Sequence, residues 1–117
     1  MKNKREIGAE KEKNAAEYLE KQGYIILEKN YRCKSGEVDI IAKDGEYLVF
    51  VDVKYRSSMK KGYPLEAISL QKQKRISRTA IYYMSEKGTT YLPVRFDVIG
   101  IWGEKIELIK KAFHYTS

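Results

Sequence analysis

Three carboxylates and a lysine crowd two short segments of this chain: Glu37 and Asp39 in Gly36-Glu37-Val38-Asp39-Ile40, then Asp52 and Lys54 in Val51-Asp52-Val53-Lys54. Acidic groups held close together repel one another, and a divalent cation with oxygen ligands, magnesium or manganese, reverses that cost. Such an ion binds a scissile phosphate and acidifies a water molecule beside it. Lys54, two residues after Asp52, reaches the same place, where an ammonium orients the attacking water or neutralises charge building on the phosphate. The chemistry these residue types suggest is phosphodiester hydrolysis.

Whether the groups meet depends on the elements that carry them. Glu37 to Lys43 and Glu46 to Lys54 are β-rich runs joined by Asp44-Gly45, a two-residue hairpin signal. With Asp44 and Gly45 as turn residues, Lys43 pairs with Glu46. Phe50 then lies opposite Asp39, and Asp52 lies opposite Glu37 and diagonal to Asp39. Period-two alternation projects Glu37, Asp39, Asp52 and Lys54 from one side and Val38, Ile40, Val49, Val51 and Val53 from the other. The competing interpretation is a solvated hairpin face with one Asp–Lys pair.

Two helices bear on the choice. Arg5 to Gln22 reads as a helix stopped by Gly23, with Glu12 set in a small apolar stripe of Ala15, Ala16 and Leu19. A carboxylate in such a stripe needs a partner, unless it lies at the stripe's edge with its head in water. Leu65 to Lys87 reads as a second helix closed by Gly88, and Lys72 shares its inward stripe with Ile76, Ala80 and Tyr83. Lys72 either snorkels to the rim or meets a phosphate.

The remaining segments are a strand at Tyr24 to Glu28, a basic loop from Asn30 to Gly36, and a basic loop from Arg56 to Gly62. A strand at Val94 to Trp102 turns through Gly103-Glu104 into Lys105 to Ile109, and the tail from Lys110 has no clear pattern. The order α-β-β-β-α-β-β predicts an α/β fold, residues 1–117 as a single domain, with a central mixed sheet of four or five strands flanked by helices. The crossover through the second helix makes the third and fourth strands parallel.

Composition narrows the classes. One cysteine, Cys33, excludes an intrachain disulfide and a Cys-based zinc site, and one histidine, His114, leaves catalysis to carboxylates and lysines. A net charge of +7 and a pI near 9.4 favour a polyanion, nucleic acid first. No run approaches the roughly 18 apolar residues of a membrane span, and the charged start lacks a secretory leader's apolar stretch, so a cytoplasmic protein is expected. Arg32, Lys34, Arg56, Lys60 and Lys61 in loops, with Lys72, Lys74, Arg75 and Arg78 on the second helix, form basic walls around an acidic centre. No helix-turn-helix or aromatic RNA-binding signature is present, so recognition of DNA structure, branched or single-stranded, is favoured over base readout.

The segments Gly36-Glu37-Val38-Asp39-Ile40-Ile41-Ala42 and Val49-Phe50-Val51-Asp52-Val53-Lys54-Tyr55-Arg56 closely resemble the YraN family of bacterial proteins. That family is similar to archaeal Holliday junction resolvases and the PD-(D/E)xK nuclease superfamily. Gly8, Glu12, Gly23-Tyr24, Asn30-Tyr31-Arg32, Lys72 and Arg95-Phe96-Asp97-Val98 extend the resemblance over nearly the whole chain. It implies a restriction-endonuclease-like α-β-β-β-α-β core, a magnesium- or manganese-dependent endonuclease, and a homodimer, as resolvases are. It assigns Asp39 and Asp52 as metal-binding acids, Lys54 as the motif lysine and Glu12 as the helix-borne acid; Glu37 is a further candidate ligand. Two departures stand out: the motif's usual Glu is Asp52, and Val38 replaces the proline before Asp39. The alternatives are a nucleic-acid-binding module without catalysis and a partner-binding protein whose acids only pair with lysines.

Overall fold

The computed structural model describes residues 3–56 and 68–116. Asn3 caps the first helix, α1 (Lys4–Lys21), by accepting a hydrogen bond from the Glu6 backbone N–H at 2.9 Å. The chain continues through β1 (Ile25–Cys33), β2 (Gly36–Asp44), β3 (Tyr47–Arg56), α2 (Leu70–Lys87), β4 (Val94–Trp102) and β5 (Lys105–Phe113). Ser69 caps α2 and Gly88, in the left-handed conformation, ends it. The expected helix start at Leu65 lies outside the described residues, whereas Ile68 and Ser69 are not helical.

The five strands lie in sequence order. The β3–β4 pair, bridged by α2, is parallel and the other pairs are antiparallel, as the crossover requires. Helix α1 covers one face over Ile40, Ala42, Val49, Val51, Ile99 and Ile101. Helix α2 covers the other through Ile76, Ala80 and Tyr83, over Ile41, Leu48, Phe50, Phe96 and Val98. The result is an α/β fold with a central mixed sheet flanked by helices.

The hairpin corrects the expected register. Asp44 pairs with Tyr47, leaving Gly45 and Glu46 as the turn residues. Only Gly45 has positive φ there, which fits a turn with glycine at its first central position. The shift is two residues, so Asp52 does not lie opposite Glu37, yet the period-two faces of β3 survive. Val38 is a second correction. It packs on the α2 side although Ile40 lies on the α1 side, so alternation in β2 breaks at Asp39.

Two strands are longer than their patterns suggested. Strand β1 runs through the expected basic loop to Cys33, because β2 offers it a hydrogen-bonding edge. A register irregularity between Ile26 and Glu28, and Asn30 at φ 53°, absorb its mismatch. Strand β5 continues to Phe113, whose ring stacks on Phe96 at 4.9 Å.

A buried polar network pins the hairpin end of the sheet. Arg95 donates from Nε to Asp97 Oδ1 at 2.9 Å and from Nη2 to Asp44 Oδ2 at 2.7 Å. Tyr24 Oη donates to Asp97 Oδ2 at 2.6 Å, and the Lys111 N–H donates to Asp97 Oδ1 at 3.1 Å. Asp97 is fully buried and both its oxygens are satisfied. Removing one partner of such a pair strands the other. Asp97→Ala is expected to cost about 3–5 kcal/mol in urea unfolding, whereas a change below 1 kcal/mol would mean that the network carries little of the fold.

Candidate active site

The site lies where β2 and β3 part. Strand β2 stays paired with β1 as far as Gly36 opposite Cys33, and β3 stays paired with β4 as far as Arg56 opposite Trp102. The ladder between β2 and β3, however, ends at Ile40 opposite Val51. Beyond it the two strands form a fork. Asp39 stands at its base and accepts the Val53 backbone N–H on Oδ2 at 2.7 Å, so a carboxylate serves where a ladder carbonyl would otherwise accept.

Asp52 and Lys54 continue the α2-facing side of β3 begun by Leu48 and Phe50. Lys72, in the first turn of α2, places Nζ 3.0 Å from Asp52 Oδ1. Lys54 Nζ stands 3.9 Å from Asp52 Oδ2, an ion pair too long for a hydrogen bond. Asp52 is only 5% exposed, and its Oδ2 is buried without a hydrogen-bond partner. Such an atom carries a desolvation cost that a cation or a donor would relieve.

The charges are coupled. Burial raises the Asp39 carboxyl to about 7, opposed by the Val53 N–H, and the charges of Asp52 and Glu12 push it further up. Glu12, half-buried on α1, is thus brought within electrostatic reach of Asp39. Burial, and then the neighbouring Lys72 ammonium, lower Lys54 below the ordinary lysine value. For Lys72 burial also pulls downward, but the carboxylates of Asp52 and Asp39 outweigh it and the pKa rises.

The fork therefore gathers Asp39, Asp52, Lys54, Lys72 and the charge of Glu12. Glu37 is drawn elsewhere: exposed on β2, it pairs with Arg32 at 3.1 Å. Among the described residues no group of three His, Cys, Asp or Glu side chains converges on a point suited to a metal ion. The expected four-carboxylate set is thus not assembled. Magnesium commonly uses only one or two protein carboxylates, with water and phosphate oxygens completing its shell. The unpartnered Oδ2 of Asp52 beside Asp39 fits that demand.

Of the expected basic walls, Arg32, Lys34, Arg75 and Arg78 are exposed, and Arg56 and Lys74 half-buried. Lys60 and Lys61 lie outside the described residues. Three features escaped the sequence pattern. Lys72 pairs with Asp52 while about a third of its side chain stays exposed to solvent. Lys11 of α1 lies over the Tyr55 ring at 5.0 Å. Cys33 and Gly36 line a recess next to Lys72. The glycine before Glu37 was the available hint.

The Asp39 shift has a definite pH signature. Its folded pKa, about 7, lies above the unfolded value of about 3.9. Protonated Asp39 thus favours the folded state below the unfolded value, and that contribution is lost as pH rises to the folded value. Solvent access screens part of the effect. Asp39→Asn is expected to be more stable than the parent by about 1–3 kcal/mol at pH 8, with the gain shrinking as pH falls from about 7 toward about 4 in parallel denaturation curves. A gain independent of pH would remove the electrostatic account.

Comparison with known proteins places this geometry in a family. Residues 11–101 match the uncharacterised protein family UPF0102. A UPF0102 protein of Lachnoclostridium phytofermentans is 53% identical over 112 residues, covering 95% of each chain. One of Caldicellulosiruptor saccharolyticus is 48% identical over 117 residues, covering 95% of this chain and 99% of its own. One of Clostridioides difficile is 46% identical over 113 residues, covering 95% and 99%. With matches of this extent spanning both helices and the fork, the chain belongs to the UPF0102 family, the YraN family that its motifs resemble.

Proposed function

We propose that this protein is a magnesium- or manganese-dependent DNA endonuclease that hydrolyses phosphodiester bonds and selects DNA by structure, branched or single-stranded, rather than by sequence. The observation that carries the proposal is the buried, unpartnered Oδ2 of Asp52 beside Asp39, at a fork edged by Lys54 and Lys72. Buried carboxylates in a purely structural role are expected to be saturated, as Asp97 is at the other end of the sheet.

Asp39 and Asp52 would hold the divalent ion, with Glu12 behind them and Glu37 outside the set. When bound, that ion supplies positive charge against the phosphoryl oxygens and acidifies water near them. Lys54, whose proton is released more readily than that of an exposed lysine, suits proton transfer at the attacking or leaving oxygen. Lys72, firmly protonated, donates to Asp52 or to a phosphate oxygen that enters the fork. The first turn of α2 contains Lys72 and no acid, so the positive end of the helix dipole also favours an anion there. Arg32, Arg56, Arg75 and Lys74 stand ready for the flanking backbone, and cutting both strands of a branched substrate calls for two such sites, hence a homodimer.

A second reading is favoured by the Lys72–Asp52 pair, because a resident ammonium already neutralises the acid. In that reading the fold binds nucleic acid without cutting it. The two separate in one assay of purified protein on branched, single-stranded and duplex DNA with magnesium or manganese. Metal-dependent cutting is expected, reduced by about 100-fold or more in Asp52→Ala and in Lys54→Ala. Salt-sensitive binding with no metal-dependent cutting would establish the second reading, and cutting that survives both substitutions would not be this protein's.

A further inference from the structure

We infer that a recess beside the fork receives a nucleotide from an unpaired DNA segment, which makes single-stranded or splayed DNA the preferred substrate; this rests on the proposed function and narrows it. The recess has a volume of about 600 Å³. That lies in the range of small-ligand pockets, about 300–1,000 Å³. It shares Lys72 with the acidic fork, so a chain leaving the fork on that side passes into it.

Its two walls come from different elements. Lys72, Arg75 and Ile76, one turn of α2, form the first. The end of β1 and the start of β2 form the second. At Gly36 the strand presses against the helix so closely that a Cβ would stand 3.2 Å from Thr79 Oγ1, and its φ of +145° also disfavours a side chain. That wall is therefore bare at its centre.

Charge and shape indicate the occupant. Arg32, Lys72 and Arg75 face the recess with one acid, Glu37, which Arg32 already engages. The surplus is positive, as a phosphodiester requires. The guanidinium planes of Arg32 and Arg75 offer stacking surfaces for a base, and Ile76 adds apolar area. A duplex keeps its bases stacked inside and presents only phosphates on a convex surface. It can touch the rim cations but leaves the interior unfilled, whereas an unpaired nucleotide uses the rim and the interior together.

The chain carries its own probe of this site. Cys33 is its single cysteine, half-buried on the recess wall. Without divalent metal, so that nothing is cut, a saturating short oligothymidylate is expected to slow maleimide modification of Cys33 several-fold. A blunt duplex of equal length should slow it far less, and Arg75→Glu should abolish the protection. Equal protection by the duplex overturns the inference, as does oligothymidylate that binds by fluorescence anisotropy but leaves Cys33 reacting at its free rate. Protection by oligouridylate and not by oligothymidylate overturns the assignment to DNA. The footprint needs no turnover. Protection in a protein that never cuts removes the nuclease proposal and keeps the recess, while cutting without protection does the reverse.

Discussion

The end of the β2–β3 ladder governs the rest of this molecule. Two adjacent central strands stop pairing at Ile40 and Val51 while each remains bound to its outer neighbour. Backbone groups freed by such a parting need partners, and the Asp39 carboxylate meets the Val53 N–H. The same hydrogen bond fixes the carboxylate in the opening, within the field of Asp52 and Glu12. Like charges are tolerated there because Lys72 descends from α2 onto Asp52. Secondary structure, the break in side-chain alternation at Asp39 and the electrostatics of the site all follow from this one departure from regular pairing.

The two ends of the sheet treat buried charge in opposite ways. At the hairpin end, Arg95 is enclosed by Asp97, Asp44 and the ring of Tyr47, and the acids leave no buried oxygen without a donor. At the fork, Asp52 keeps one buried oxygen without a donor, and Asp39 is held in a raised range. A saturated network is rigid, and it locks β2, β4 and β5 together. An undersaturated one has free energy left to give to a ligand. The fold thus clamps one end of its sheet and leaves a buried carboxylate oxygen without a donor at the other, in a chain of net charge +7. No helix among the described residues is long and apolar enough to cross a membrane.

Much of this was legible in the residues themselves. The element order, the parallel crossover and the buried stripes on α1 and α2 follow from hydrophobic period, caps and glycine stops. The grouping of Asp52 with Lys54 needed only period-two alternation, which is why it withstood a register error of two residues. Strand ends were legible only in part, because Lys29, Arg32, Lys110 and Lys111 look like loop residues. An adjacent strand edge recruits them, and bulges and left-handed residues take up the misfit.

Residue types and their spacing set out the available chemistry: carboxylates and lysines at alternating positions, an excess of basic residues, and one cysteine and one histidine, too few for a disulfide or a Cys- or His-rich metal site. Which side chains meet was settled by the packing of separate elements. It sent Glu37 to Arg32, brought Lys72 onto Asp52 across the gap between helix and sheet, and joined Arg95, Asp44 and Tyr24 around Asp97. The physical reason is range. Periodicity describes neighbours along one element, whereas ion pairs, desolvation and the point where a ladder ends depend on several elements closing together in space.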